Sequence, residues 1–103
     1  MFVYIWEYFV KEEFISEFEI TYGSDGDWVT LFSRDRGYIK TELQQDISNP
    51  LRYITIDHWK SKEARNNFRK QFANEFKELD KRCEQFTAKE VFIGDFETIG
   101  YHK

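Results

Sequence analysis

The chain is short of the residues that build special chemistry or special backbones. Its 103 residues include one cysteine, Cys83, one proline, Pro50, and two histidines, His58 and His102. A single cysteine allows neither an intrachain disulfide nor a thiolate metal cluster, and it fits a reducing compartment. No run approaches the ~20 apolar residues of a membrane span. Met1 to Glu7 has neither the basic region nor the small-residue cleavage site of a signal peptide. Positive charge is also scarce: 15 Lys and Arg against 19 Asp and Glu give a net charge of -4. That disfavours nucleic acid as a partner, because phosphate neutralisation needs clustered basic residues. The densest basic stretch, Lys60 to Lys70, is interrupted by Glu63 and opposed by Glu75 and Glu78, so it reads as a solvated helix face. No glycine-rich phosphate loop exists; Gly23-Ser24-Asp25-Gly26 is acidic, follows a helical pattern and reads as a turn. The expectation is a soluble, cytoplasmic protein with no metal, no bound cofactor and neither nucleic acid nor membrane as partner.

What the chain has in abundance is aromatic residues. Eleven Phe, six Tyr and three Trp make up 19% of a chain that is one-third charged, with a mean hydropathy of -0.70. So many rings exclude disorder. Residues 1–103 form one domain by length, and such a domain buries only ~60–70% of the surface its unfolded chain exposes. What covers the rings is therefore the central question.

Phe2 to Val10 is apolar except at Glu7, β-branched and aromatic, and reads as a strand buried on both faces. From Lys11 to Tyr22 the period changes: Phe14, Ile15, Phe18 and Tyr22 fall at helical spacing between acidic residues, which suit a helix start. Gly23 to Gly26 ends that helix, and Asp27 is placed to cap a short second turn, Trp28 to Phe32. Tyr38 to Asp46 alternates, with Ile39, Thr41 and Leu43 opposite Lys40, Glu42 and Gln44, so it is a half-buried strand. Asn49-Pro50 turns the chain. Leu51 to Trp59 is a third strand, with Ile54 and Ile56 on one face and Tyr53, Thr55 and Trp59 on the other. Ser61 is a candidate N-cap for a long helix from Lys62 to Phe86, whose stripe is Ala64, Phe68, Phe72, Phe76, Leu79 and Cys83. Lys89 to Phe96 is a fourth strand, ended near Gly94 and Gly100.

The order β-α-β-β-α-β predicts an α+β, ferredoxin-like domain: one antiparallel sheet with strands one and three central, and both helices on one face. Strand one then poses a packing problem. Val3, Ile5 and Phe9 lie on one face, and Phe2, Tyr4, Trp6 and Tyr8 on the other. Two helices cover only one of them. Monomers rarely leave such a patch in water. The expectation is a homodimer joined through the sheet face, with the Tyr4, Trp6 and Tyr8 side taken as the one needing cover.

Spaced residues from about Phe2 to about Phe96 resemble the antibiotic biosynthesis monooxygenase family, whose members are small dimeric α+β barrels. They are Trp28 and Phe32, Gly37-Tyr38, Pro50, Tyr53, Asp57 with Trp59, and Ser61 opening a helix with Phe68, Phe72 and Phe76. The strongest piece is Tyr53-Ile54-Thr55-Ile56-Asp57-His58-Trp59-Lys60-Ser61, which looks like the family's third strand. The resemblance implies a dimeric barrel with a ligand cavity between sheet and helices in each protomer. It also implies oxidation of aromatic compounds by O2 without metal or flavin in some members, and haem degradation in others. The haem-degrading pattern has an Asn on strand one and a Trp and a downstream His on the second helix. This chain has no Asn on strand one, Phe68 near the Trp position, and no His between Ser61 and Phe86, so haem degradation is not expected.

The candidate chemistry is sparse. Asp57 and His58 are adjacent on a strand and point to opposite faces, so no Ser-His-Asp triad can be built. His58, near the end of a central strand, is the candidate proton acceptor for a phenol-type substrate, with Tyr53 as second candidate. Trp59 and Tyr53 could line an aromatic pocket, Trp28 and Phe32 could lid it, and Phe72 could add a wall. Arg52, on the His58 face, reads as a surface residue, and Cys83 as a small core residue. The leading expectation is cofactor-independent oxygenation of a small aromatic or quinol-like compound. The alternatives are a non-catalytic ligand-binding or stress-related dimeric barrel, and an isomerase or decarboxylase acting on a small carbonyl compound.

Overall fold

Alternation and helical period place most of the elements of this chain. In a computed structural model, which describes residues 1–99, strand β1 is Phe2–Val10, followed by a single 3-10 turn, Glu12–Phe14. Helices α1 (Ile15–Tyr22) and α2 (Asp27–Phe32) come next, then strands β2 (Tyr38–Gln45) and β3 (Arg52–Trp59). Helices α3 (Lys62–Gln71) and α4 (Ala73–Cys83) lead through a second 3-10 turn into β4, Thr87–Glu97. Gly100 and His102 lie outside the described residues. The sheet is antiparallel with strand order β2-β3-β1-β4, so the expected α+β, ferredoxin-like arrangement with β1 and β3 central is the one observed.

Several local expectations need correction. The first helix starts later than the apolar period suggested. Lys11 is extended, cannot cap with its side chain, and leads into a 3-10 turn instead. The cap of α2 is Gly26, not Asp27. A Cβ at Gly26 would collide with the Thr21 and Ile20 carbonyl oxygens, so only glycine lets α1 and α2 approach this closely. Asp27 instead occupies the first helical turn, where its charge suits the helix dipole. The long helix is divided at Phe72, whose backbone (φ -112°, ψ 30°) leaves the helical region. Its start is as expected: Ser61 Oγ accepts the Ala64 N–H at 3.1 Å. In β2, an irregularity between Tyr38 and Lys40 takes Ile39 out of the alternation and leaves it exposed. A matching shift in β4 sets Gly94 at φ +154°, a backbone that side chains rarely adopt.

The faces of β1 are the reverse of what the packing problem suggested. Phe2, Tyr4, Tyr8 and Val10 are buried toward the helices, while Val3, Ile5, Glu7 and Phe9 lie on the open side and are half-buried. β3 follows the same alternation: Tyr53, Thr55, Asp57 and Trp59 are buried, and Arg52, Ile54, Ile56 and His58 face the open side. The register locks these sets together, with Tyr4 opposite Asp57 and Tyr8 opposite Tyr53.

Most of the rings gather in two clusters between sheet and helices. Trp59, fully buried, packs edge-on against Phe32 and Tyr38 with centroids 5.6 and 5.4 Å away, and tilted on Phe68 at 5.2 Å. Phe18, also fully buried, stacks on Tyr22 at 4.3 Å and meets Tyr8 and Tyr53 at 5.3 and 5.0 Å. Such pairs add ~0.5–1.5 kcal/mol each beyond their area burial. Trp28 joins the clusters, 6.0 Å from Tyr22 and 5.6 Å from Phe32. Rigid rings bridged in this way hold an interior space open rather than collapsing into it.

Candidate active site

That space is a cavity of about 460 Å³ between the sheet and the helices. Its aromatic wall comes from Tyr4, Trp6 and Tyr8 of β1, Tyr22 of α1, Trp28 and Phe32 of α2, and Phe76 of α4. Its polar lining is small and falls into two groups. Thr41, Thr55 and Asp57 project from the sheet, and Arg69 from α3. Lys77, Asp80 and Glu90, all exposed, complete the lining at its solvent-facing side. A largely apolar wall with a few convergent polar groups is the usual character of a small-molecule site.

Asp57 is the chemically distinctive group. Strand alternation places it on the same face as Trp59 and Thr55, and it is only 5% exposed. Burial pushes its carboxyl up to about 7, because charge is disfavoured away from water. The Thr41 hydroxyl, donating to Asp57 Oδ1 at 2.5 Å, and the charge of Arg69 pull it part of the way back. With the Thr41 proton committed to Asp57, the Tyr38 hydroxyl at 2.7 Å must donate to Thr41. A relay Tyr38–Thr41–Asp57 therefore runs from the edge strand to the cavity. A carboxyl that exchanges its proton near neutrality can act as base and then as acid within one turnover. Tyr4 and Tyr8 do the opposite. Burial pushes both hydroxyls well above their ordinary range, so they stay protonated. Tyr8 shares a hydrogen bond with Thr55 at 3.2 Å.

The residues singled out from the sequence scatter around this site. Trp28 and Phe32 line the cavity. Trp59 and Phe72 stand behind its wall: Trp59 is core, and Phe72 stacks on Phe68 at 5.2 Å. The Tyr53 ring is buried against Phe18, outside the lining, and its hydroxyl reaches the protein's edge. There it donates to Glu19, and Gln45 Nε2 donates to it at 3.1 Å. Burial and the neighbouring Glu19 carboxylate push the Tyr53 hydroxyl up to about 12. His58 does not face the cavity. It lies on the opposite side of the sheet, its Nε2 3.0 Å from Glu42 Oε1. The expected cavity-facing His58 is thus corrected by strand parity, since each residue of a strand points opposite to the next. Arg52, on that same open face, is held by Glu7 at 2.6 Å and Asp46 at 3.0 Å. Asp57, Thr41 and Arg69 were not singled out from the sequence. For Asp57 a signal existed: parity from Trp59 puts a carboxylate among buried rings. Among the described residues, no group of three or more His, Cys, Asp and Glu side chains comes together as metal ligands do.

Comparison with known proteins matches this geometry to a family. Similar solved structures include SnoaB, a cofactor-independent oxygenase from Streptomyces nogalater, at 16% identity and TM-score 0.65, covering 97% of each chain. A single-residue variant of SnoaB gives 17% identity and TM-score 0.73, covering 97% of this chain and 94% of the other. A conserved protein from Methanosarcina mazei Go1 gives 17% and 0.71, over 93% of this chain and 90% of the other. At these identities the likeness is one of fold. A search of curated proteins finds no match. The model of the antibiotic biosynthesis monooxygenase family matches residues 1–82, spanning β1 through nearly all of α4 and thus most of the cavity lining. The chain belongs to the antibiotic biosynthesis monooxygenase family.

Proposed function

We propose that the protein is a cofactor-independent monooxygenase acting on a small aromatic or quinol-like compound held in the cavity. Family membership and the SnoaB likeness support a monooxygenase-type role. The observation that carries the reading is Asp57, a carboxyl buried against an aromatic-walled cavity, where loss of water pushes it up to about 7. Ionised Asp57 takes a proton from the phenol or activated C–H of the bound ring. The resulting anion, far richer in electrons than its acid, passes an electron to O2, and the radical pair recombines to a hydroperoxide on the ring carbon. Asp57 returns its proton as the O–O bond breaks. One oxygen atom stays on the ring as a carbonyl, and the other leaves as water with two hydrogens from the substrate: the proton Asp57 first took and the hydrogen still on the oxygenated carbon. In this reading Trp28 and Phe32 hold the ring, with Trp59, Phe72 and Tyr53 setting those walls from behind. Proton transfer by a positioned side chain contributes ~10²–10⁴-fold. Asp57→Asn is therefore expected to lower oxygen consumption with an anthrone or hydroquinone by that factor. Unchanged consumption in the variant, or equal turnover of substrate without oxygen, would refute the reading. Ligand-induced thermal stabilisation with no oxygen uptake for any phenolic substrate would instead identify a binding module.

The same proposal includes a homodimer in a cytoplasmic setting. Val3 and Ile5 of β1 and Ile54 and Ile56 of β3 form an apolar surface on the open face, Phe96 of β4 extends it, and the Glu7–Arg52 ion pair separates it from Phe9. A second copy packed on that face would cover it with twofold symmetry. No helix among the described residues is long and apolar enough to cross a membrane.

A further inference from the structure

Two arginines one helical turn apart on α3 meet different fates. Arg65, 4% exposed, is neutralised: its two terminal nitrogens donate to Asp95 Oδ1 and Oδ2 at 3.2 and 3.1 Å. Its Nε donates to Asn66 at 3.0 Å, and its guanidinium lies over the Phe2 and Tyr4 rings. Arg69 reaches the cavity instead. Its guanidinium lies between the Tyr4 and Phe76 rings, 5.3 and 5.5 Å from their centroids. Among the described residues no carboxylate forms an ion pair with it; the Tyr4 hydroxyl and the buried Asp57 carboxyl are its polar neighbours, and its Nε is shut off from solvent with no hydrogen-bond partner. A guanidinium donor removed from water without an acceptor is costly, and proteins keep few of them. Aromatic faces stabilise its charge but accept no full hydrogen bond. The planar fork suits a carboxylate or an oxyanion attached to a flat ring.

We propose that Arg69 is the anion-binding residue of the cavity, and that the protein's ligands are planar aromatic compounds bearing one acidic oxygen held against that guanidinium. This rests on reading the cavity as a substrate site. The aromatic wall selects the flat ring, and Arg69 selects the charge. Lys77, Asp80 and Glu90 carry both signs at the solvent-facing side, where water and salt screen them; inside, burial pushes the Asp57 carboxyl up to about 7, so below that pH Asp57 is neutral and Arg69 sets the preference. The acid of a phenol or enol bound there becomes easier to ionise, because the developing oxyanion meets a fixed positive charge.

The test compares two probes of nearly equal shape, 2-naphthoate and the neutral 2-naphthamide, by titration calorimetry on the whole chain. The wild type is expected to bind the carboxylate at least ~10-fold more tightly, the factor set by about one charge-assisted hydrogen bond. Arg69→Gln should bring the two affinities within ~2-fold of each other, by loss of carboxylate binding alone. Arg69→Lys, which keeps the charge and the packed stem, should retain a carboxylate preference. Equal affinities in the wild type overturn the proposal even if no variant folds. So does a preference that survives in Arg69→Gln, or one lost equally in Arg69→Lys. An Arg69-dependent preference without oxygen consumption on any phenol sinks the oxygenase reading alone. Asp57-dependent oxygen consumption without a charge preference sinks this inference alone.

Discussion

Asp57 and His58 are neighbours in the chain and opposites in the fold. Both are titratable, and both sit near the end of a central strand. Asp57 points under the helices, has one hydroxyl for a partner, and is held up near 7 by burial. His58 points to the open face and shares its Nε2 with Glu42, whose carboxyl is lowered by that hydrogen bond. The difference comes from parity alone, since one step along a strand exchanges the aromatic cavity under the helices for the open face of the sheet. It teaches that the residue type most often used for proton transfer matters less than the face on which a residue lies. A histidine facing away from the cavity has no substrate proton to take. A carboxylate moved out of water acquires a pKa suited to the task.

The comparison can be broken in activity, assembly and stability. The largest effect is expected in turnover: Asp57→Asn should lose ~10²–10⁴-fold in oxygen consumption, whereas His58→Ala should stay within ~3-fold. The reverse ranking would return the proton-transfer role to the open face. Next, Ile56→Glu should dissociate the proposed dimer, because it sets a charge in the middle of the apolar surface without touching the cavity. Light scattering should then report a monomer, while Asp57→Asn stays dimeric.

A smaller effect lies in stability against pH. The folded pKa of Asp57 is raised above its unfolded value of ~3.9, so the folded state keeps a proton that the unfolded state has released. Its contribution is therefore fully present below ~4, and declines by at most ~1.4 kcal/mol per pH unit as pH rises toward about 7. Above that it is flat. Asp57→Asn should flatten this slope, and it should melt at higher temperature than the wild type at pH 8, a case of activity held at the cost of stability. Denaturant titrations of both proteins at pH 5 and pH 8 would check this, and parallel slopes would contradict it. Last, Thr41→Val removes the hydrogen bond that favours the ionised carboxyl, so the alkaline shift of the pH–rate profile should grow by ~1 unit or less. A profile moved toward acid would oppose the assignment.

Much of the fold was legible because its periods are clean. The alternation in β3, the Ser61 cap and the stripe from Ala64 to Cys83 each follow from local physics, and the strand order follows from the sequence of elements. The faces of β1 were not legible from β1 itself. It is apolar on both sides, so alternation offers no polar set to mark the outside. Pairing with β3 resolves it, because Tyr4 opposite Asp57 shares a face with Trp59. The break at Phe72 carries no proline or glycine and could not be read. Of the site, the Trp28 and Phe32 walls were visible as aromatics on a short amphipathic turn. Asp57 and Arg69 were not, because charged residues in a polar chain read as solvated until tertiary packing shows one in a buried pocket and the other with an unpartnered nitrogen.

The most direct test is a carbon-13 NMR titration of the Asp57 side-chain carboxyl in the free protein, assigned through Asp57→Asn. The expected result is a single titration near 7. A midpoint in the ordinary carboxylate range near ~4 would mean that Asp57 is ionised throughout the neutral range. The buried, proton-exchanging acid on which the account rests would then be absent.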